Sequence, residues 1–258
     1  MKFTVLGSGT SHGVPMIACD CRVCRSANPK DSHDRSCLLV ESAAGTSIVV
    51  DTPPEFRLLA VRHRLRRVDA VLYTHSHADH IFGLDDIRMY NWLQKGPIPL
   101  IGEQDTIDTI ATAFRYCFVE TQKGGGKPQL ELIASRPGEP FDIGGVSVLP
   151  LRVMHGNVPI LAYKFGARAA YVTDVSSIPD ETWPHLVDLD LLYLDATRKA
   201  PHETHFHLAR SLEVIEALRP QKAYLIHLAH DYLYDEDNAA LPSGVELAYD
   251  GLVSVIQD

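Results

Sequence analysis

Hydrophobic residues in this chain gather in short β-branched or aliphatic runs, and each run stops at a turn carrying a side chain able to bind a ligand. Residues 3–6 lead into Gly7-Ser8-Gly9-Thr10-Ser11-His12-Gly13, and residues 47–50 into Asp51-Thr52-Pro53-Pro54. Residues 68–73 lead into His75-Ser76-His77-Ala78-Asp79-His80. Runs at 146–154, 169–173, 191–194 and 223–226 end at His155, Asp174, Asp195 and His227. Such runs predict strands, and side chains on loops at one edge of a sheet usually carry chemistry. Two segments have helical spacing instead. In 105–118, Ile107, Ile110, Phe114 and Cys117 share a face; in 207–218, Leu208, Leu212, Ile215 and Leu218 do, with Pro220 just beyond. Strands interleaved with helices predict an α/β architecture. No repeat or linker divides the chain, so residues 1–258 are expected to form one domain.

Composition narrows the function. The 258 residues are 45% hydrophobic and 22% charged, which suits a globular protein with a sizeable core. The net charge of −9 argues against non-specific nucleic-acid binding, which relies on Lys and Arg neutralising phosphates. A small anionic substrate stays compatible, because bound metals reverse a local field. The apolar run at residues 3–6 is too short for a signal peptide, and no stretch approaches the ~20 apolar residues of a membrane span. The expected compartment is the cytosol, with no membrane partner. The basic run 62–67 reads as a solvated helix end, with an RNA-contacting patch as the alternative. The Gly/Lys-rich break at 122–128 reads as a surface loop, with a lid as the alternative.

The hexad at 75–80 places four metal-competent side chains within six residues. His75 and His77, two apart, suit one ion; Asp79 and His80 point to a second. Paired metals ~3.5–4 Å apart generate hydroxide at neutral pH and clamp phosphoryl or acyl oxygens. His155, Asp174 and His227 extend the set from other strand ends, and His and carboxylate donors suit zinc, manganese or iron. Asp51 and Asp195 are candidate outer partners. For Asp51, orienting a ligand histidine and capping its own loop both stay open.

Cys19-Asp20-Cys21-Arg22-Val23-Cys24 forms the remaining cluster. Three thiols this close in a reducing compartment point to metal before disulfide. His230, three residues after His227, is the candidate fourth ligand of a closed tetrahedral zinc, with a redox pair or unligated buried thiols as the alternatives. An excursion at about 18–37 would thereby be pinned to the C-terminal loop in a structural role. Cys37 and Cys117 lie in apolar surroundings and read as core residues.

These motifs resemble the metallo-β-lactamase superfamily over nearly the whole chain. The resemblance implies a four-layer αββα sandwich with both metals at one edge. It implies that His75, His77 and His155 hold one ion, that Asp79, His80 and His227 hold the other, and that Asp174 bridges them. The cysteine cluster with His230, Gly7-Ser8-Gly9-Thr10, Asp51-Thr52-Pro53 and the C-terminal Tyr249-Asp250-Gly251 are similar to one branch. That branch is the phosphodiesterase family typified by phosphoribosyl 1,2-cyclic phosphate phosphodiesterase, of the carbon–phosphorus lyase pathway. It implies two catalytic divalent ions, zinc or manganese, beside one structural zinc, and a homodimer that no sequence feature itself specifies. It also implies a general acid at His205, 22 residues before His227; His202 and His207 are weaker candidates, and a plain N-terminal helix role is the alternative. The catalytic set is thus His205 with Asp79.

The expected activity is hydrolysis of a small cyclic or nucleotide-like phosphodiester through hydroxide made at the dinuclear centre. Arg88 could reach a substrate phosphate or pair with Asp85 or Asp86; Ser11 and His12 could line the pocket or serve only their turn. Competing readings are a ribonuclease Z-type transfer-RNA 3′-processing nuclease, a thioester or lactone hydrolase, and a binding or redox protein of the pyrroloquinoline quinone biosynthesis type.

Overall fold

A computed structural model describes residues 1–120 and 126–257. Fourteen strands among them form two seven-stranded sheets. The first contains β1 (Lys2–Gly7), β2 (Cys37–Glu41), β3 (Ser47–Val50), β4 (Ala70–Leu72), β5 (Ile98–Gly102) and β6 (Leu130–Ala134). The second contains β7 (Phe141–Ile143), β8 (Val146–His155), β9 (Val158–Phe165), β10 (Ala169–Val172), β11 (Leu191–Asp195), β12 (Lys222–Ile226) and β13 (Val245–Leu247). The last strand, β14 (Val253–Val255), returns to the first sheet beside β1. The orders are β14-β1-β2-β3-β4-β5-β6 and β13-β12-β11-β10-β9-β8-β7. Pairing is parallel across β3-β4-β5-β6 and across β10-β11-β12-β13, and antiparallel elsewhere.

Three apolar clusters explain the layering. Phe3, Val40, Val50, Tyr163 and Tyr193 fill the space between the sheets. Val172, Leu194, Val214, Leu218 and Leu225 join the outer face of the second sheet to the helix Leu208–Leu218. Leu59, Ile87, Leu100 and Ile110 do the same for the first sheet and its helices. Strands buried on both faces read as continuous apolar runs rather than as alternation, as in Ser47–Val50 and Ala169–Val172. The result is the αββα sandwich.

The parallel strands place the chemistry. β3, β4, β10 and β12 run into Asp51, the hexad, Asp174 and His227, all at one edge, where α/β sheets bind ligands. Close packing holds the edge. Tyr163 Oη donates to the Tyr73 carbonyl at 2.7 Å, and Leu161 N to the Thr74 carbonyl at 3.0 Å, joining the sheets just before the hexad. Thr52 N donates to the His80 carbonyl at 2.7 Å, and Gly83 N to the Thr52 carbonyl at 2.8 Å. Only glycine fits at 83, where a Cβ would lie 2.1 Å from the Pro53 carbonyl oxygen.

Several expectations change in detail. The helix read over 105–118 divides into Gln104–Ala113 and Arg115–Phe118 at Phe114. Thr109 and Thr112 hydroxyls donate to carbonyls four residues back, a bond that bends helices. The strands at 37–41, 98–102, 130–134 and 158–165 lacked a ligand-bearing turn and were not anticipated. The basic run begins at the C-terminal end of the helix Phe56–Arg62. Of the Gly/Lys-rich break, residues 122–125 lie outside the described residues. No described helix is long and apolar enough to cross a membrane.

Candidate metal centre

Along the hexad the backbone passes from extended to helical. His77 caps a single helical turn, Ala78–Ile81, which carries Asp79 and His80 back towards His75. The rings of His75 and His80 come to 4.1 Å, those of His75 and His77 to 4.5 Å, and that of His155 lies 5.2 Å from His77. Donor atoms of His75, His77 and His155 converge within 4.8 Å of one another, as do those of Asp79, His80 and His227. Asp174 joins His75 and His80 in one further group, and His155 and His205 in another. It therefore stands between the two triads.

Three site residues occupy the left-handed backbone region: Asp51 at φ 62°, Asp174 at φ 55° and His227 at φ 60°. Such conformations cost energy in non-glycine residues and cluster at functional sites. Each turns the chain sharply at a strand's end, so the side chain faces the edge.

Four of the five donor histidines are oriented through Nδ1. Asp51 Oδ2 lies 2.8 Å from His80 Nδ1, Thr197 Oγ1 lies 2.8 Å from His227 Nδ1, Thr74 Oγ1 lies 3.0 Å from His75 Nδ1, and the Thr204 carbonyl lies 2.9 Å from His155 Nδ1. Asp51 also accepts from Thr74 N and Oγ1 at 2.9 and 2.8 Å, which ties it to the loop after β4 rather than to its own. The Nε2 atoms of His75, His80 and His227 are buried without a well-formed hydrogen bond, and those of His80 and His227 face Asp174 as ion pairs. A buried imidazole nitrogen left without a well-formed hydrogen bond is costly, and three of them converging with Asp79 and Asp174 make a donor set that fits metal ions.

Electrostatics agree. Burial alone would neutralise Asp174, but His227 and His80, with Nε2 atoms 3.1 and 3.6 Å from its oxygens, hold it well below the usual carboxylate range. Burial works against His227 too, yet Asp174 and Asp195 push it up to about 10. His80 is held well above the ordinary imidazole value by Asp174 and Asp51, again against burial. Burial depresses His75 and His155. Such packed opposite charges are where divalent cations compete with protons.

His205 lies behind this cluster. Its ring is 4.6 Å from that of His155 and 4.7 Å from that of His227. Asp195 Oδ2 accepts from Nδ1 at 3.0 Å. Beyond His205 opens a cavity of about 340 Å³, whose walls include Ser11, His12, Arg198, His202 and His230. His207 instead occupies the N-cap position of the helix Leu208–Leu218, without a side-chain capping bond. Arg88 is not among that cavity's lining residues: it pairs with Asp85 and lines a groove of about 510 Å³ with Phe56, Val61 and Met89. The salt bridge considered for Arg88 is therefore present. Thr74, Thr197 and Thr204 were missed. The first two adjoin the hexad and Asp195, a usable signal; the third acts through its carbonyl, which leaves none.

The cysteine cluster also assembles. Sγ atoms of Cys19, Cys21 and Cys24 lie 3.2, 3.4 and 3.6 Å from His230 Nδ1. A tetrahedral zinc with ~2.3 Å sulfur and ~2.0–2.1 Å nitrogen bonds separates S and N by about 3.5 Å, so the four groups fit that ion. Hydrogen bonds lower the Cys21 thiol to about 6, while burial pushes Cys24 up to about 11.

Comparison with known proteins adds the family. A model described as a beta-lactamase superfamily domain matches residues 46–228. The crystal structure of a diphosphatase from the PhnP family is 40% identical, with a TM-score of 0.92, covering 99% of this chain and 98% of that one. The octanoyltransferase of Porphyromonas gingivalis (strain ATCC BAA-308 / W83) is 37% identical over 260 residues, 100% of this chain and 52% of its own length. This chain thus spans about half of that relative. The ribonuclease Z of Bradyrhizobium sp. (strain ORS 278) is 29% identical over 140 residues, 52% of this chain and 45% of the other.

Proposed function

Given that this chain belongs to the metallo-β-lactamase superfamily, in its PhnP family, and is a metal-dependent hydrolase, we propose that it hydrolyses a small phosphodiester. The observation carrying this reading is His205, stationed between the metal-donor histidines and the cavity and anchored through Nδ1 to Asp195. A phosphodiester releases an alkoxide, which needs a proton as it departs; acyl transfer to water from a thioester does not. We assign one ion to His75, His77 and His155, the second to Asp79, His80 and His227, with Asp174 shared, and a structural zinc to Cys19, Cys21, Cys24 and His230. Ions so held would supply Lewis-acid polarisation of the phosphoryl group and an activated water.

The chain's own residues do the rest. Burial opposes ionisation of Asp79, but His80 holds its carboxyl low, so a carboxylate faces the cleft at neutral pH. Asp195, whose carboxyl is kept low by His205 and His227 despite burial, fixes which nitrogen of His205 is free. That nitrogen, in the imidazolium form, donates to the departing oxygen.

A ribonuclease Z-type activity is favoured by the match to that enzyme. Against it stand the −9 charge and the position of Arg64 and Arg66 in the groove with Arg88, apart from the cavity beside His205. The octanoyltransferase name belongs to a protein twice as long as the matched part. The deciding experiment is hydrolysis of bis(p-nitrophenyl) phosphate by manganese-loaded wild type beside His205→Ala, with a gel shift on transfer RNA across salt. Turnover without RNA binding is the expected result. Metal-loaded protein that leaves the ester intact would refute the phosphodiesterase reading.

A further inference from the structure

Resting on that phosphodiesterase reading, we propose that the cavity beside His205 is a leaving-group subsite for a nucleoside-sized departing group, with His12 and His202 as specificity-determining residues. The placement follows from the proton. His205 has the metal-donor rings of His155 and His227 on one side, and His202, 5.0 Å away, on the other. The oxygen that receives its proton is the one that leaves. Whatever that oxygen carries must extend past His205, into the cavity.

Volume bears on the size of the departing group. About 340 Å³ lies within the ~300–1,000 Å³ range of pockets that enclose a whole organic ligand. In a cyclic diester the leaving oxygen stays on the group that bears the ring, so a nucleoside cyclic phosphate presents its nucleoside to the same space. An acyclic diester sends a separate group there. During hydrolysis one P–O bond forms from water and the P–O bond to that group breaks. The His205 proton passes to the departing oxygen, and the water's proton to solvent.

The lining is built for a hydroxylated, heteroatom-rich group. Thr204 N donates to His202 Nδ1 at 3.2 Å, so the hydrogen of neutral His202 is on Nε2 and available. His12 sits at the tip of a turn closed by Gly13 N and the Thr10 carbonyl at 2.8 Å. That turn is braced by Arg35, whose Nε donates to the Ser11 carbonyl at 2.7 Å and whose Nη1 pairs with Glu55 at 2.8 Å. His12 itself has no hydrogen-bond partner among the described residues. Arg198 donates through Nε and Nη2 to the Ala200 and Pro201 carbonyls at 3.2 and 2.6 Å, which fixes the guanidinium at the wall. Asp231 supplies the one carboxylate, an acceptor for sugar hydroxyls.

The test compares two esters that retain the same thymidylyl group: thymidylyl-(3′→5′)-thymidine, which releases a nucleoside, and thymidine 3′-(p-nitrophenyl phosphate), which releases a small phenolate. In His12→Ala and His202→Ala, and in His202→Gln as a gentler change, the ratio of kcat/KM for the first to that for the second should fall at least tenfold. Calorimetric titration with thymidine should show affinity reduced at least fivefold by the same changes. Equal losses on both esters, an unchanged ratio, or unaltered thymidine binding would each overturn the assignment. If wild type cleaves neither ester, the phosphodiesterase reading fails, and the thymidine titration still judges the cavity.

Discussion

Asp195 and His205 are joined by a 3.0 Å bond between Oδ2 and Nδ1, and the other oxygen of the same buried carboxylate lies 3.7 Å from His227 Nδ1. One side chain thus holds both the proposed proton donor and a proposed metal ligand. It also accepts from Val175 N at 2.9 Å, directly after Asp174.

Asp195→Asn should therefore lower kcat without matching loss of metal. Asn can present its NH₂ to Nδ1 and select the wrong tautomer; the comparable change in a serine protease costs about 10⁴-fold. A loss of roughly 10²–10⁴-fold is expected here, growing as the leaving group becomes poorer. Combined with His205→Ala it should add little, because the two act as a unit. An additive double variant would show that Asp195 acts elsewhere.

Asp174→Ala should strip metal rather than merely slow turnover, since its two oxygens face His80 and His227. Metal content after desalting should fall by at least one equivalent. Asp51→Asn is milder. It leaves every donor in place but alters the partner of His80 Nδ1, and such changes typically cost 10–100-fold in metal affinity. Chelator competition measures this directly.

Cys24→Ser should release one zinc equivalent while the proposed dinuclear centre keeps its metals. The cluster links segments 206 residues apart, and a cross-link closing so long a loop is worth up to about 4–5 kcal/mol in the chain-entropy view. A fall in Tm of roughly 10 °C is expected. An unchanged zinc content would remove the structural-zinc assignment.

His33 gives a stability test independent of metal. It is buried with Nδ1 2.8 Å from Ser8 Oγ, and burial lowers it from 6.5 to about 4 against the pull of Asp31 and Asp34. Between those pH values the unfolded chain binds a proton that the folded chain does not. Its contribution is complete above pH 6.5 and is lost as pH falls towards 4. The total is about 3 kcal/mol. Urea titrations of wild type and His33→Asn should show the wild-type advantage shrinking by about that amount over this interval. A constant difference would mean that folding leaves the proton affinity of His33 unchanged.

What could be read in the sequence was whatever depends on neighbours along the chain. The 47–50, 169–173 and 223–226 runs announce strands because buried parallel strands need unbroken apolar stretches. Hexad spacing and the C-x-C-x-x-C cluster announce metal because few other uses place such donors so close. Strands such as Ile98–Gly102 and Val158–Phe165 carry no chemistry at their ends, and their apolar content alone did not mark them. Tertiary structure decided everything that rests on distance across the fold: Asp174 between two triads, His230 against three cysteines over 200 residues away, and Asp195 shared by His205 and His227. It also turned Arg88 to Asp85 and opened the cavity behind His205. Those relations arise where parallel strands from two sheets end at one edge, and no local pattern records which ends will meet.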